Sequence, residues 1–142
     1  LKTYIEVRSA DSQSVELMLG TPALMKGIFY DDDSLDAALD VVKTWGPPSL
    51  GELHAEAARH GLAGKAGRMR LGDYAREIVD IARSGLVRQS RRNPDGRDET
   101  VYLDLLAENV RAARNPATSI IERWEGEWAR SMDALIAATS YR

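Results

Sequence analysis

Glu6 and Arg8, two residues apart near the start of the 142-residue sequence, are the side chains whose types and spacing could do chemistry together. They lie in the stretch Leu1-Lys2-Thr3-Tyr4-Ile5-Glu6-Val7-Arg8-Ser9-Ala10-Asp11. On an extended strand the period of two puts Tyr4, Glu6 and Arg8 on one face and Ile5 and Val7 on the other. An apolar face could then rest on a core while a carboxylate and a guanidinium face the opposite way together. A carboxylate offers hard oxygens to Mg²⁺, and a guanidinium forks onto phosphate. A phosphate-transferring ligase needs that pairing. The same alternation also suits an ion pair on an ordinary solvated strand, so the two residues alone leave both readings open.

Other stretches suggest chemistry more weakly. Asp31-Asp32-Asp33 offers three carboxylates, but a Ca²⁺ loop would alternate its ligands and turn on a glycine. The run reads instead as a helix start, with Asp33 as the cap and the acids complementing the helix dipole. His54 and His60 are six apart, on different faces of one helix, and read as surface residues rather than a metal pair. Gly61-Leu62-Ala63-Gly64-Lys65 lacks the spacing and the Lys-Ser/Thr ending of a phosphate-binding loop. The basic cluster at residues 88–93 has no interleaved aromatic, as single-strand nucleic-acid binding would want, and reads as positive charge at a helix C-terminus.

The elements that would position these groups are mostly helical. Polar residues 11–14 end the opening strand; residues 15–19 form a short apolar patch compatible with strand or helix. Thr21-Pro22 reads as N-cap and first turn of a helix over 22–30, whose Gly27 permits close packing. Leu35, Ala38, Leu39, Val42 and Trp45 form one stripe of the next helix, stopped by Gly46-Pro47-Pro48. Ser49 with Glu52 makes a capping box for a helix ending at Gly61. A loop over 61–70 leads to a helix over 72–90 with Tyr74, Ile78, Ile81, Ala82 and Leu86 inward; Gly85 ends or bends it. A helix over 99–114 follows, and Asn115-Pro116 restarts the chain. Ile120, Ile121, Trp124 and Trp128 make a further stripe, with the tryptophans as core anchors. Ser131 caps a last short helix through Leu135 and Ile136.

Composition fits one domain: 44% hydrophobic, 29% charged, net charge -3 and no cysteine. There is no global electrostatic reason to expect nucleic acid, and no disulfide or thiolate metal site is possible. No apolar run is long enough to span a bilayer, and a cytoplasmic location is the default expectation. A single strand needs neighbours for its backbone groups. The strand over 1–11 is therefore expected to belong to a sheet lying N-terminal to this chain.

Taken in order, five stretches resemble the plant and proteobacterial type of glutamate–cysteine ligase. Ile5-Glu6-Val7-Arg8-Ser9-Ala10-Asp11 is similar to that family's Leu-Glu-Met-Arg-Gly-Ala-Asp strand end. Pro22-Ala23-Leu24-Met25-Lys26-Gly27-Ile28-Phe29-Tyr30-Asp31 is similar to its Pro-Ala segment ending in Gly-Leu-Leu-Tyr-Asp. Ser34-Leu35-Asp36-Ala37-Ala38-Leu39-Asp40, Ala82-Arg83-Ser84-Gly85-Leu86 and Glu122-Arg123-Trp124-Glu125-Gly126-Glu127-Trp128 also fit. The resemblance implies an α+β parent with a glutamine synthetase-like fold, of which this chain, residues 1–142, is a C-terminal fragment. The fragment would be mostly α-helical, with the strand 1–11 from the catalytic sheet and a helical portion over 22–138.

The resemblance also implies an ATP- and Mg²⁺-dependent ligase. It would join the γ-carboxylate of glutamate, through a γ-glutamyl phosphate, to the amine of cysteine, the first step of glutathione synthesis. Glu6 would be a Mg²⁺ ligand, and Arg8 a catalytic and nucleotide-binding residue that clamps the transferring phosphate. The partners are glutamate, cysteine, ATP and the rest of the same protein, with no nucleic acid and no membrane, and the fragment alone would be inactive. Ser9 replaces a family glycine, Ser12-Gln13-Ser14 replaces Gly-Pro-Trp, and Met25 or Lys26 replaces an aromatic. These departures bear on the amine substrate more than on the fold, so a related carboxylate–amine ligase is one alternative. Another is a non-catalytic helical binding or regulatory domain.

Overall fold

The computed structural model describes residues 3–4, 6–7, 10, 13–43, 50–67 and 69–140. The described chain is built from seven α-helices: α1 (Val15–Phe29), α2 (Asp32–Lys43), α3 (Leu50–His60), α4 (Leu71–Gln89), α5 (Asp104–Arg111), α6 (Pro116–Glu125) and α7 (Met132–Thr139). Short 3₁₀ turns at Gly61–Ala63 and Glu99–Leu103 precede α4 and α5. Two-residue strands, β1 (Lys65–Ala66) and β2 (Met69–Arg70), pair antiparallel within the expected loop.

The expected N-terminal strand is not formed among the described residues of that segment. Thr3 and Tyr4 lie in a bend, and Glu6, Val7 and Ala10 carry no regular structure. A strand is held by backbone hydrogen bonds to a neighbouring strand. Residues 15–19 are helical: α1 begins there, with Ser14 as N-cap accepting from the Leu17 amide. Pro22 therefore sits inside α1 rather than at its start. A proline there removes one helix hydrogen bond, and the packing of the helix's buried side outweighs that loss.

The longest helix, α4, is the axis of the fold. It packs against α1, α2 and α5, and its Ala82 and Leu86 are almost completely buried with Ala23, Ile28, Ala38 and Leu103. The α1–α4 crossing is backbone against backbone. A Cβ on Gly85 would lie 1.9 Å from the Gly27 carbonyl oxygen, and one on Gly27 would lie 2.2 Å from that of Ala82. Gly85 thus does not end the helix; it lets α1 touch it. The helix ends instead at Ser90, held in the left-handed conformation at φ 52°, whose N–H returns to the Leu86 and Val87 carbonyls.

On α2 the buried positions are Ser34, Ala38 and Val41, whereas Leu39 and Val42 are exposed. The buried stripe is rotated from the expected one because small residues are needed where α2 meets α4. Trp45, the Gly46-Pro47-Pro48 stop and Ser49 of the capping box lie outside the described residues. The expected helix over 99–114 is split into a 3₁₀ turn, capped by Asp98, and α5. Asn115 caps α6 as expected, with Pro116 in its first turn, and Ser131 caps α7. Trp128 is buried but lies beyond the end of α6, and Trp124 is only half-buried.

Candidate functional site

Glu6 is exposed to solvent on an irregular stretch of backbone, and Arg8 lies outside the described residues. Just downstream, Ala10 and Gln13 border an apolar cavity of about 370 Å³ walled by Leu17, Leu24, Ile78, Val79, Leu106 and Val110. Ala10 and Gln13 therefore lie against the helical body beside α1. Among the described residues no group of three His, Cys, Asp or Glu side chains could hold a metal ion. Mg²⁺ is commonly held by one or two carboxylates plus water and phosphate oxygens. An exposed Glu6 carboxylate fits one such position, and the described residues do not supply a complete cage.

The best-organised polar cluster lies where α1, α2 and α4 meet. Asp31, just ahead of α2, accepts the Ser34 amide at 2.9 Å and so caps that helix, the role expected of Asp33. Its carboxylate also accepts from Arg88 on α4, whose Nε lies 3.1 and 3.0 Å from the two oxygens. The same guanidinium donates to Ser34 Oγ at 2.8 Å, and that buried hydroxyl donates to the Ile81 carbonyl at 3.1 Å. The Arg88 hydrogen bond, with help from the Ser34 backbone, holds the Asp31 carboxyl well below the usual carboxylate range, and Arg88 is raised in return.

Both groups stay charged across the neutral range, and each holds the other. The node fixes helices rather than moving protons. It also absorbs two sequence candidates at once: the aspartate triplet and the first arginine of the basic cluster. Arg92, in that cluster, donates to the Gly96 carbonyl at 2.7 Å. His54 and His60 are both exposed.

Two further contacts at this junction carried no short-range signal. Lys26 of α1 ion-pairs with Glu99, and the Gln89 side-chain amide donates to the Lys26 carbonyl at 3.2 Å. They tie the end of α1 to the 3₁₀ turn ahead of α5 and to the end of α4, across 73 and 63 residues of chain. A groove of about 640 Å³ opens between α2 and α4, faced by Asp33, Glu77, Asp80 and the Asp73–Arg76 pair. It is a solvated acidic surface. No described helix is long and apolar enough to cross a membrane.

The stretches that carried the family resemblance converge on this scaffold. Gly27 and Asp31 come from the second, Ser34 from the third, and Ala82 and Gly85 from the fourth; all meet at the helix crossing. In the fifth, Arg123 stacks over the Trp128 ring at 4.3 Å and pairs with Glu127. Residues 1–136 match the glutamate-cysteine ligase family 2 (GCS2), and the chain belongs to that family.

The chain is 32% identical over 141 residues to the chloroplastic glutamate–cysteine ligase of Arabidopsis thaliana, covering 99% of this chain and 26% of that protein. It is 32% identical over 133 residues to the Medicago truncatula enzyme, covering 94% of this chain and 25% of that protein. A rice (Oryza sativa subsp. indica) relative is 26% identical over 141 residues, covering 99% of this chain and 27% of that protein. The chain thus spans about a quarter of the length of the curated relatives it matches. Those relatives are named chloroplastic, which overturns the expectation of a cytoplasmic location. That expectation came only from lack of a targeting signal in these residues.

Proposed function

We propose that this chain is part of an ATP-dependent ligase that joins the γ-carboxylate of glutamate to the amine of cysteine. The observation that carries this reading is the family match over residues 1–136. Glu6 holds a Mg²⁺ ion together with groups outside the chain, and Arg8 clamps the phosphate being transferred. When bound, ATP with Mg²⁺ supplies the phosphoryl group that activates the glutamate carboxylate. The chain's own contribution is electrostatic. Phosphoryl transfer spreads charge over oxygens, and a fixed carboxylate–metal contact and a guanidinium neutralise it. The helical body anchors the segment that bears both residues.

The chain's coverage of about a quarter of its relatives leads to a second part of the reading: the 142 residues alone do not catalyse. The experiment is a product assay on the whole protein and on residues 1–142 separately, with glutamate, ATP, Mg²⁺ and a panel of amines. The expected result is γ-glutamylcysteine from the whole protein with cysteine, and none from the fragment. Turnover of another amine in preference to cysteine would reassign the substrate. Absence of ATP-dependent ligation with every amine would remove the reading.

A further inference from the structure

Helix α1 carries apolar residues on both its buried and its outer side. Its charged residues are Glu16 and Lys26, and Lys26 is tied to Glu99. One side, with Gly20, Ala23, Gly27 and Ile28, is buried on α4 and its neighbours. At 100° per residue, Val15, Met18, Leu19, Pro22 and Phe29 share an arc on the other side with Lys26, whose ammonium pairs with Glu99. Val15, Met18, Leu19 and Phe29 are 58%, 48%, 45% and 47% exposed. A helix with apolar residues on both sides is typical of the interior of a larger protein, and here the outer side faces water.

The surface around this stripe has relief. A groove of about 530 Å³ runs beside Leu19 towards Val101, Tyr102 and Leu105. Another of about 590 Å³ runs beside Val15 towards Ile120 and Trp128. The N-terminal half of α1 is thus a ridge between two grooves, a shape that receives protein side chains. The rim of the first groove carries Glu16 and Glu108 against Arg97, with Asp104 held by Arg83. Helix α1 also follows directly on the segment bearing Glu6 and Arg8, and the chain spans about a quarter of its relatives' length.

We infer that the outer face of α1 is the surface on which the remainder of the same polypeptide docks, through an apolar face whose rim is basic. This rests on the reading of the chain as part of a larger ligase, and it names the surface that holds the two parts in register.

The test is thiol labelling of Leu19→Cys and Phe29→Cys in the full-length protein, read at the peptide level by mass spectrometry. Met18→Cys and Val15→Cys serve if either first variant loses the parent's circular dichroism. The expected result is labelling at least about 100-fold slower in native protein than in urea, as for side chains reached only through local opening. That protection should be independent of protein concentration. Labelling near the urea rate overturns the proposal. Protection that grows with protein concentration assigns the face to a second copy, and protection that requires lipid vesicles assigns it to a membrane; either also overturns it. Ligase turnover is measured on the same variants: lost turnover in the unmodified parent with α1 protected would refute the proposed reaction while leaving the docking surface intact.

Discussion

Replacing Gly85 by alanine tests the helix crossing on which the fold depends. The added Cβ would stand 1.9 Å from the Gly27 carbonyl oxygen and 2.7 Å from Ser34 Oγ. Side-chain carbons essentially never approach closer than 3.0 Å, so α1 must retreat from α4 by about 1 Å. The obstacle is backbone, which cannot rotate aside. Overpacking of this kind costs about 1–3 kcal/mol and occasionally more, and a backbone obstacle puts Gly85→Ala at the top of that range. Alanine returns about 1 kcal/mol of helix propensity.

The net expectation is a loss of about 2 kcal/mol or more, a fall in Tm of about 4–8 °C at this chain size. The assay is thermal and urea unfolding of the substituted protein beside the parent. Ser84→Ala, one residue away on the exposed side of α4, should stay within about 0.5 kcal/mol. If Gly85→Ala matched or exceeded the parent's stability, α1 and α4 would not meet backbone to backbone and the reasoning would be wrong.

The Asp31–Arg88 pair makes stability depend on acid. A carboxyl held below its unfolded value contributes stability above that value and loses it as pH falls through the folded value. Asp31→Asn should therefore be less stable than the parent at about pH 7, with the gap narrowing below about pH 4, read as urea midpoints across pH. A gap independent of pH would mean that the pair is not charge-assisted. Asn115→Ala removes the side-chain oxygen that accepts the Thr118 amide at 2.8 Å. It should cost about 1 kcal/mol in the same unfolding assay, and no loss would show that α6 does not depend on its cap.

Local signals were legible where they are set within a few residues. Asn115-Pro116 and Ser131 start helices as their side chains dictate, and α4 ends at Ser90 close to its expected boundary. What could not be read was set by distant neighbours. The rotated stripe of α2 depends on Ser34 reaching Ile81 across 47 residues, and a serine is an unexpected choice for a core position. The start of α1 was obscured by Pro22, whose local preference for a first turn is overridden by burial of Ala23, Gly27 and Ile28. Asp33 looked like the cap because it is the last of three aspartates, but Arg88 selects Asp31. The opening segment had the right alternation, but alternation alone does not fix a strand, and its described residues are irregular. Of the candidate site, the sequence offered the residue types; Glu6 is placed on the surface, and Arg8 lies outside the described residues.

The central claim is that Glu6 and Arg8 serve phosphoryl transfer to glutamate, and steady-state turnover of the full-length protein carrying Glu6→Gln or Arg8→Ala tests it most directly. Each substitution should lower kcat about 100-fold or more, as loss of one preorganised charge contact does, while the circular dichroism and unfolding midpoint stay those of the parent. Glu6→Gln should also raise the Mg²⁺ concentration needed for half-maximal rate, and Arg8→Ala should not. Unchanged kcat in both variants, at every Mg²⁺ concentration, would contradict the claim.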